Sequence, residues 1–142
     1  FPGVRIGYVY SNNLNMIFDI KNSLPVWNFN SIAEYFLEIM LKYRNEFKKS
    51  IDKTIYDRNE FIENMKMQKW VNNVFDSSAD FILVETDVNI LYLIDILLNQ
   101  DSIYIRDISS KFNDDKTYFR FAVRTSKENN IMIEAINTNL KK

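Results

Sequence analysis

Three arginines carry most of the chemistry this sequence offers: Arg5 near the start, and Arg106 and Arg120 in two short segments near the end. In residues 117–125, Phe119, Phe121 and Val123 take alternate positions, so a strand there places them on one face and Tyr118, Arg120, Ala122 and Arg124 on the other. Ile103 and Ile105 alternate with Tyr104 and Arg106 in the same way. A hairpin symmetric about residue 113 pairs Ile105 with Phe121, Ile103 with Val123 and Arg106 with Arg120, matching apolar to apolar. Two like charges then stand opposite each other, which costs stability unless an anion lies between them. A guanidinium offers paired N–H donors in a fixed fork that fits carboxylate or phosphate. The residues alone leave two readings: an anion site, or two solvated arginines near Asp107, Asp114 or Asp115, whose exposed ion pairs are weak. Arg5 poses the same choice. It lies between Gly3 and Gly7, and if residues 4–10 are extended it shares a face with Gly7, which leaves room for an anion or a ligand. The alternative is a solvated arginine on an edge strand.

The elements that must position these arginines follow from capping and periodicity. Asn12 or Asn13 caps a helix reaching about Asn22, and Pro25 marks a connector over residues 24–30. Trp27 and Phe29 in that connector are expected to plug a core. Ser31 and Glu34 form a capping box ahead of Ile32, Phe36 and Met40, and a second helical pattern runs through Phe47, Ile51, Ile55, Ile62 and Met65. Whether these two helices are one kinked element is open. Residues 81–84 read as a buried strand, Asp87 as the cap of a helix over 88–99, and residues 102–108 and 117–125 as the hairpin strands. Thr125 and Glu128 make a further capping box for a closing helix with Met132, Ile136 and Leu140 along one stripe. The order predicts an α+β fold, with helices packed on a small, at least partly antiparallel sheet.

Composition narrows the function classes. With 142 residues that are 46% hydrophobic and 15% aromatic, the chain can bury one sizeable core. The 18 Lys and Arg balance 19 Asp and Glu, so no basic field points to nucleic acid or an anionic membrane surface. No cysteine and no histidine occur, which excludes disulfides, thiolate or imidazole metal sites, and Cys-His or Ser-His-Asp catalysis from the chain's own residues. No metal is expected. The most apolar stretch, 88–98, is interrupted by Asn89 and Asp95 and is shorter than the ~20 residues a spanning helix needs. The opening residues lack the basic region of a signal peptide, and a cytoplasmic protein is expected. No glycine-rich phosphate loop or hydrolase elbow is present.

Five blocks together carry a family resemblance: FPGVRIGY at 1–8, PVWNFNSIAE at 25–34, VFDSSADFILVETD at 74–87, IYIRDISS at 103–110 and YFRFAVRT at 118–125. In this order and spacing they resemble the C-terminal part of fold-type I pyridoxal-phosphate enzymes, closest to the group of histidinol-phosphate aminotransferases and threonine-phosphate decarboxylases. The resemblance implies that Arg5 contacts the phosphate of pyridoxal 5'-phosphate, that Arg120 receives the substrate carboxylate or an equivalent anion, and that Arg106 helps hold a substrate phosphate. It also implies residues 1–12 as the end of the cofactor-binding large domain, and 13–142 as a small domain with its interdomain helix. In such enzymes the Schiff-base lysine lies a few residues before the block matched by 1–8, so no lysine here is assigned and no catalytic residue is named. Asp80 stands where the family more often has Asn, which removes a side-chain amide from that place. The expectation is a C-terminal fragment that recognises a small amino acid or amino-phosphate substrate, is inactive alone, and needs a large domain and a homodimeric partner. Decarboxylation of an amino-acid phosphate and non-catalytic binding of a phosphorylated ligand are the alternatives.

Overall fold

The computed structural model describes residues 2–140, apart from the side chains of Pro2, Ile90 and Leu91. The chain forms two compact units, one up to Lys48 and one from Lys49 onward.

In the first unit a single 3-10 turn, Pro2–Val4, is followed by irregular chain up to Asn13. The strand expected over residues 4–10 does not form. Arg5 lies in the left-handed region at φ 58°, which interrupts an extended run, and among the described residues of this unit no strand is available to pair with it. Neither glycine has a positive φ, so the unusual backbone belongs to Arg5 itself. Phe1 lies outside the described residues. Asn13 caps helix α1, Leu14–Ser23, its Oδ1 accepting the Met16 N–H at 3.1 Å. Helix α2, Ser31–Lys42, is capped one residue earlier than expected: Asn30 Oδ1 accepts the Ala33 N–H at 2.8 Å, and Ser31 becomes the first helical residue. Tyr43, at φ −106° and ψ 38°, separates α2 from helix α3, Arg44–Lys66, so these are two helices. Trp27 and Phe29 are not core plugs. Trp27 is 93% exposed at φ 64° and Phe29 is exposed, because only Ala33 is buried among the described residues of this unit.

In the second unit the sheet has four antiparallel strands in the order β1-β2-β4-β3. They are β1, Val71–Phe75, β2, Phe81–Thr86, β3, Arg106–Asp107, and β4, Thr117–Ala122. Strand β1 was not foreseen from the sequence. Helix α4, Ile90–Asp101, is capped by Asn89 and not by Asp87: Asn89 Oδ1 accepts the Tyr92 N–H, while Thr86 Oγ1 takes the Val88 N–H. One face of the sheet buries Ile82, Val84, Phe119 and Phe121. Against it pack Phe61 and Met65 of α3, Leu93 and Leu97 of α4, and Ile133 and Ile136 of helix α5, Ser126–Asn139. Arg120 lies on the opposite face, as the alternation requires.

The closing helix starts where the sequence placed it. Thr125 Oγ1 accepts the Glu128 N–H, and the Glu128 carboxylate accepts the Thr125 N–H, which completes the box. Hydrogen bonds from Thr125, then the Arg124 guanidinium, bring the Glu128 carboxyl down to about 2. The folded chain thus keeps this carboxylate while the unfolded chain takes up a proton, so its contribution is complete above the ordinary glutamate range and is lost as pH falls towards about 2. In acid denaturation, Glu128→Gln should flatten that slope, and identical slopes would refute the assignment. Thr125→Ala should cost about 1 kcal/mol at neutral pH.

Candidate functional site

The hairpin register is the one expected, with Arg106 opposite Arg120 and Asp107 opposite Phe119. The ladder is shorter than the two predicted strands: at the loop end the Ile108 N–H still donates to the Tyr118 carbonyl at 3.0 Å, and side chains take main-chain groups at both ends. At one end Asp107 Oδ1 accepts the Ser109 N–H and hydroxyl, and the Ser109 Oγ in turn accepts the Tyr118 N–H at 2.8 Å. At the other end the buried carboxamide of Asn129 takes both main-chain groups of Arg124, accepting its N–H and donating to its carbonyl, each at 3.0 Å. Between them, residues 102–105 leave α4 through left-handed Ser102 at φ 55° and bury Ile105 without pairing to β4.

Arg106 is exposed and Arg120 half-buried. Arg120 lies over the Phe81 ring, its guanidinium carbon 5.1 Å from the centroid. Among the described residues neither arginine is ion-paired. Three of the nearby acids, Asp107, Asp114 and Glu85, have other partners. Asp107 holds Ser109, Asp114 accepts the Tyr118 hydroxyl at 2.9 Å and the Lys116 N–H, and Glu85 pairs with Lys116 at 2.8 Å. Burial, then the Asp114 carboxylate, raise the Tyr118 phenol, so it stays protonated and keeps donating. Both readings of the arginine pair, an anion site and two solvated cations, are compatible with this arrangement; what it lacks is an ion pair from either arginine to Asp107, Asp114 or Asp115.

Arg5 belongs to the first unit, is exposed and has the left-handed backbone described above. Asp80 is exposed and contributes its main-chain carbonyl, which accepts the Val123 N–H at 2.8 Å. Sequence reasoning missed Phe81, Glu85 and Lys116 around Arg120. Period-two alternation puts Phe81 and Glu85 on that face, and this was the signal available. A cleft of about 400 Å³ opens where residues 102–105 diverge from β4, lined by Ile103, Phe121, Arg124 and Met132 among others. It includes neither Arg106 nor Arg120. Among the described residues no acidic cluster could hold a metal ion, and no helix is long and apolar enough to cross a membrane.

An antiparallel sheet with helices packed on one face and two arginines opposed on the other defines an α+β module. Comparison with known proteins gives the family. Residues 1–136 match the family described as aminotransferase class I and II, and the chain belongs to that family. It is 34% identical, over 94% of its length, to 16% of the adenosylcobalamin biosynthesis bifunctional protein of Leptospira interrogans. It is 28% identical, over 98% of its length, to 36% of the L-serine phosphate decarboxylase of Sulfurospirillum multivorans. The crystal structure of the histidinol-phosphate aminotransferase from Clostridium acetobutylicum superposes with a TM-score of 0.82 at 29% identity, covering 99% of this chain and 42% of that one. The chain thus spans less than half the length of each. Members of the family depend on pyridoxal phosphate.

Proposed function

We propose that this chain is the C-terminal, substrate-recognising segment of a pyridoxal-phosphate-dependent aminotransferase. Residues 1–12 end the cofactor-binding domain and 13–142 form the small domain. The observation that carries this reading is the register that sets Arg106 against Arg120 with the surrounding acids occupied elsewhere. Arg120 receives the carboxylate or equivalent anion of an amino acid, and Arg106 supports a phosphate on the same substrate. The exposed guanidinium of Arg5 fits the phosphate end of the cofactor, as the anion-binding role of arginine requires. When bound, pyridoxal phosphate withdraws electrons from the bonds at the substrate Cα. The amine that holds the cofactor is assigned to residues outside this sequence. What this chain supplies is orientation: two guanidinium forks fix the anionic end of the substrate and thereby the direction of its Cα.

The first unit supports a further partner. Tyr8 is 94%, Trp27 93% and Val26 86% exposed, and such apolar surface fits coverage by the large domain and by a second subunit. A second reading, decarboxylation of an amino-acid phosphate, is favoured by the similarity to the L-serine phosphate decarboxylase over nearly the whole chain. Both reactions need the same anion recognition and differ in which Cα bond is broken.

The test uses the natural gene product, incubated with pyridoxal phosphate and either L-histidinol phosphate with a keto acid or O-phospho-L-serine. Amino transfer with no carbon dioxide is expected. Carbon dioxide release would establish the second reading, and neither product together with retained phosphate binding would make the chain a non-catalytic binding domain.

A further inference from the structure

Three residues of β2 surround Arg120 on its face of the sheet. Leu83 is directly opposite Arg120, so Phe81 and Glu85, two residues either side of Leu83, are its two diagonal neighbours. Diagonal neighbours are within reach of long side chains. Arg120 has taken the ring, at 5.1 Å, and not the carboxylate. Glu85 is the obvious internal counter-ion for Arg120, because its side chain is only 13% exposed and a carboxylate so placed requires a cation. That cation is Lys116, reaching in from the hairpin loop at 2.8 Å. Leu83 and Phe81 are neutral, and Arg106 on the other side repels.

We propose that Lys116 is a positioning residue: by holding Glu85 it stops this carboxylate from neutralising Arg120, and so keeps Arg120 available to an incoming anion. The role of Lys116 rests on the anion-binding role proposed for Arg120 and adds to it a built-in competitor and the residue that restrains it. Without Lys116, Glu85 turns to the remaining cation within reach, and a bound anion must first displace it. Phe81 completes the arrangement by offering the guanidinium a neutral surface that does not compete for its N–H donors.

The test compares Lys116→Met, Lys116→Met/Glu85→Gln and Lys116→Met/Glu134→Gln in the 142-residue chain. Glu134 is an exposed residue of α5, and its neutralisation restores the net charge without touching Glu85. Two quantities are read by NMR: hydrogen exchange of the Arg120 guanidinium, and the affinity for inorganic phosphate from hairpin amide shifts. In Lys116→Met, exchange at Arg120 should slow as Glu85 pairs with it, and phosphate should bind about two- to fivefold more weakly, the range of one partly exposed ion pair. Glu85→Gln should reverse both changes and Glu134→Gln neither. Unchanged Arg120 exchange in Lys116→Met, or equal rescue by the two glutamate variants, would overturn the role of Lys116. The Arg120→Gln chain tests the underlying site separately. If it binds phosphate as well as the unaltered chain, the anion-site reading fails whatever Lys116 does.

Discussion

Arg120→Gln in the natural gene product should lower kcat/KM by about ten- to a hundredfold, the worth of one charge-assisted hydrogen-bond pair. The loss should fall mainly on KM, because the charge on the anion is the same before and during amino transfer, so the guanidinium holds it equally in ground and transition states. Arg120→Lys should lose less, since it keeps the charge and gives up only the fork. The fold should be indifferent, because Arg120 lies on the face away from the core and contributes a ring contact with Phe81. Melting temperature therefore serves as the control. Unchanged kinetics at an unchanged melting temperature would remove Arg120 from substrate recognition, and an equal fall in kcat would place it closer to the chemistry than proposed.

Phe121→Ala should have the largest effect on stability. Phe121 is 1% exposed, meets Phe61 edge-on at 6.5 Å, and has Trp70 and Phe119 at 6.3 and 5.8 Å. Truncating a phenylalanine in such a setting costs about 3–5 kcal/mol, through lost transfer energy and the cavity left behind. A domain has only about 5–15 kcal/mol in total, so the second unit should approach its unfolding limit. Urea denaturation should show a much lower midpoint with the slope unchanged. A loss below about 1 kcal/mol would mean that the surrounding rings collapse into the space.

The parts legible in the sequence were those fixed by short periods and local reciprocity. Phe119, Phe121 and Val123 alternating against Ile103 and Ile105 put Arg106 and Arg120 on one face in any even register, and the register symmetric about residue 113 is the one that sets them opposite each other. Thr125 and Glu128 satisfy each other's main chain within one turn, so no distant contact could move that cap. Elsewhere neighbours competed on equal terms. Asn30 and Ser31 can both cap, as can Asp87 and Asn89, and the backbone angles that decide between them are set by the connector and not by residue type. Strand β1 was hidden because its two asparagines are poor strand formers and because its register shifts between Val71 and Asn73, which breaks the alternation. The opening segment failed for a different reason. Alternation states how side chains would point in a strand but supplies no partner for the strand, and none is present among the described residues of the unit that holds Arg5. Phe81, Glu85 and Lys116 were visible as residues, but which cation Glu85 takes depends on loop geometry that no local pattern encodes.

Strand β4 would present a long outer edge if only the two residues of β3 protected it. An uncovered edge of this kind is a template on which another chain can add a strand and begin aggregation. Here the hydroxyl of Ser109 occupies the N–H of Tyr118, and the carboxamide of Asn129 occupies both groups of Arg124. These two side chains take outward-facing main-chain groups on either side of the ladder without extending the sheet, so what β4 leaves open to a second polypeptide is short, centred on Ala122.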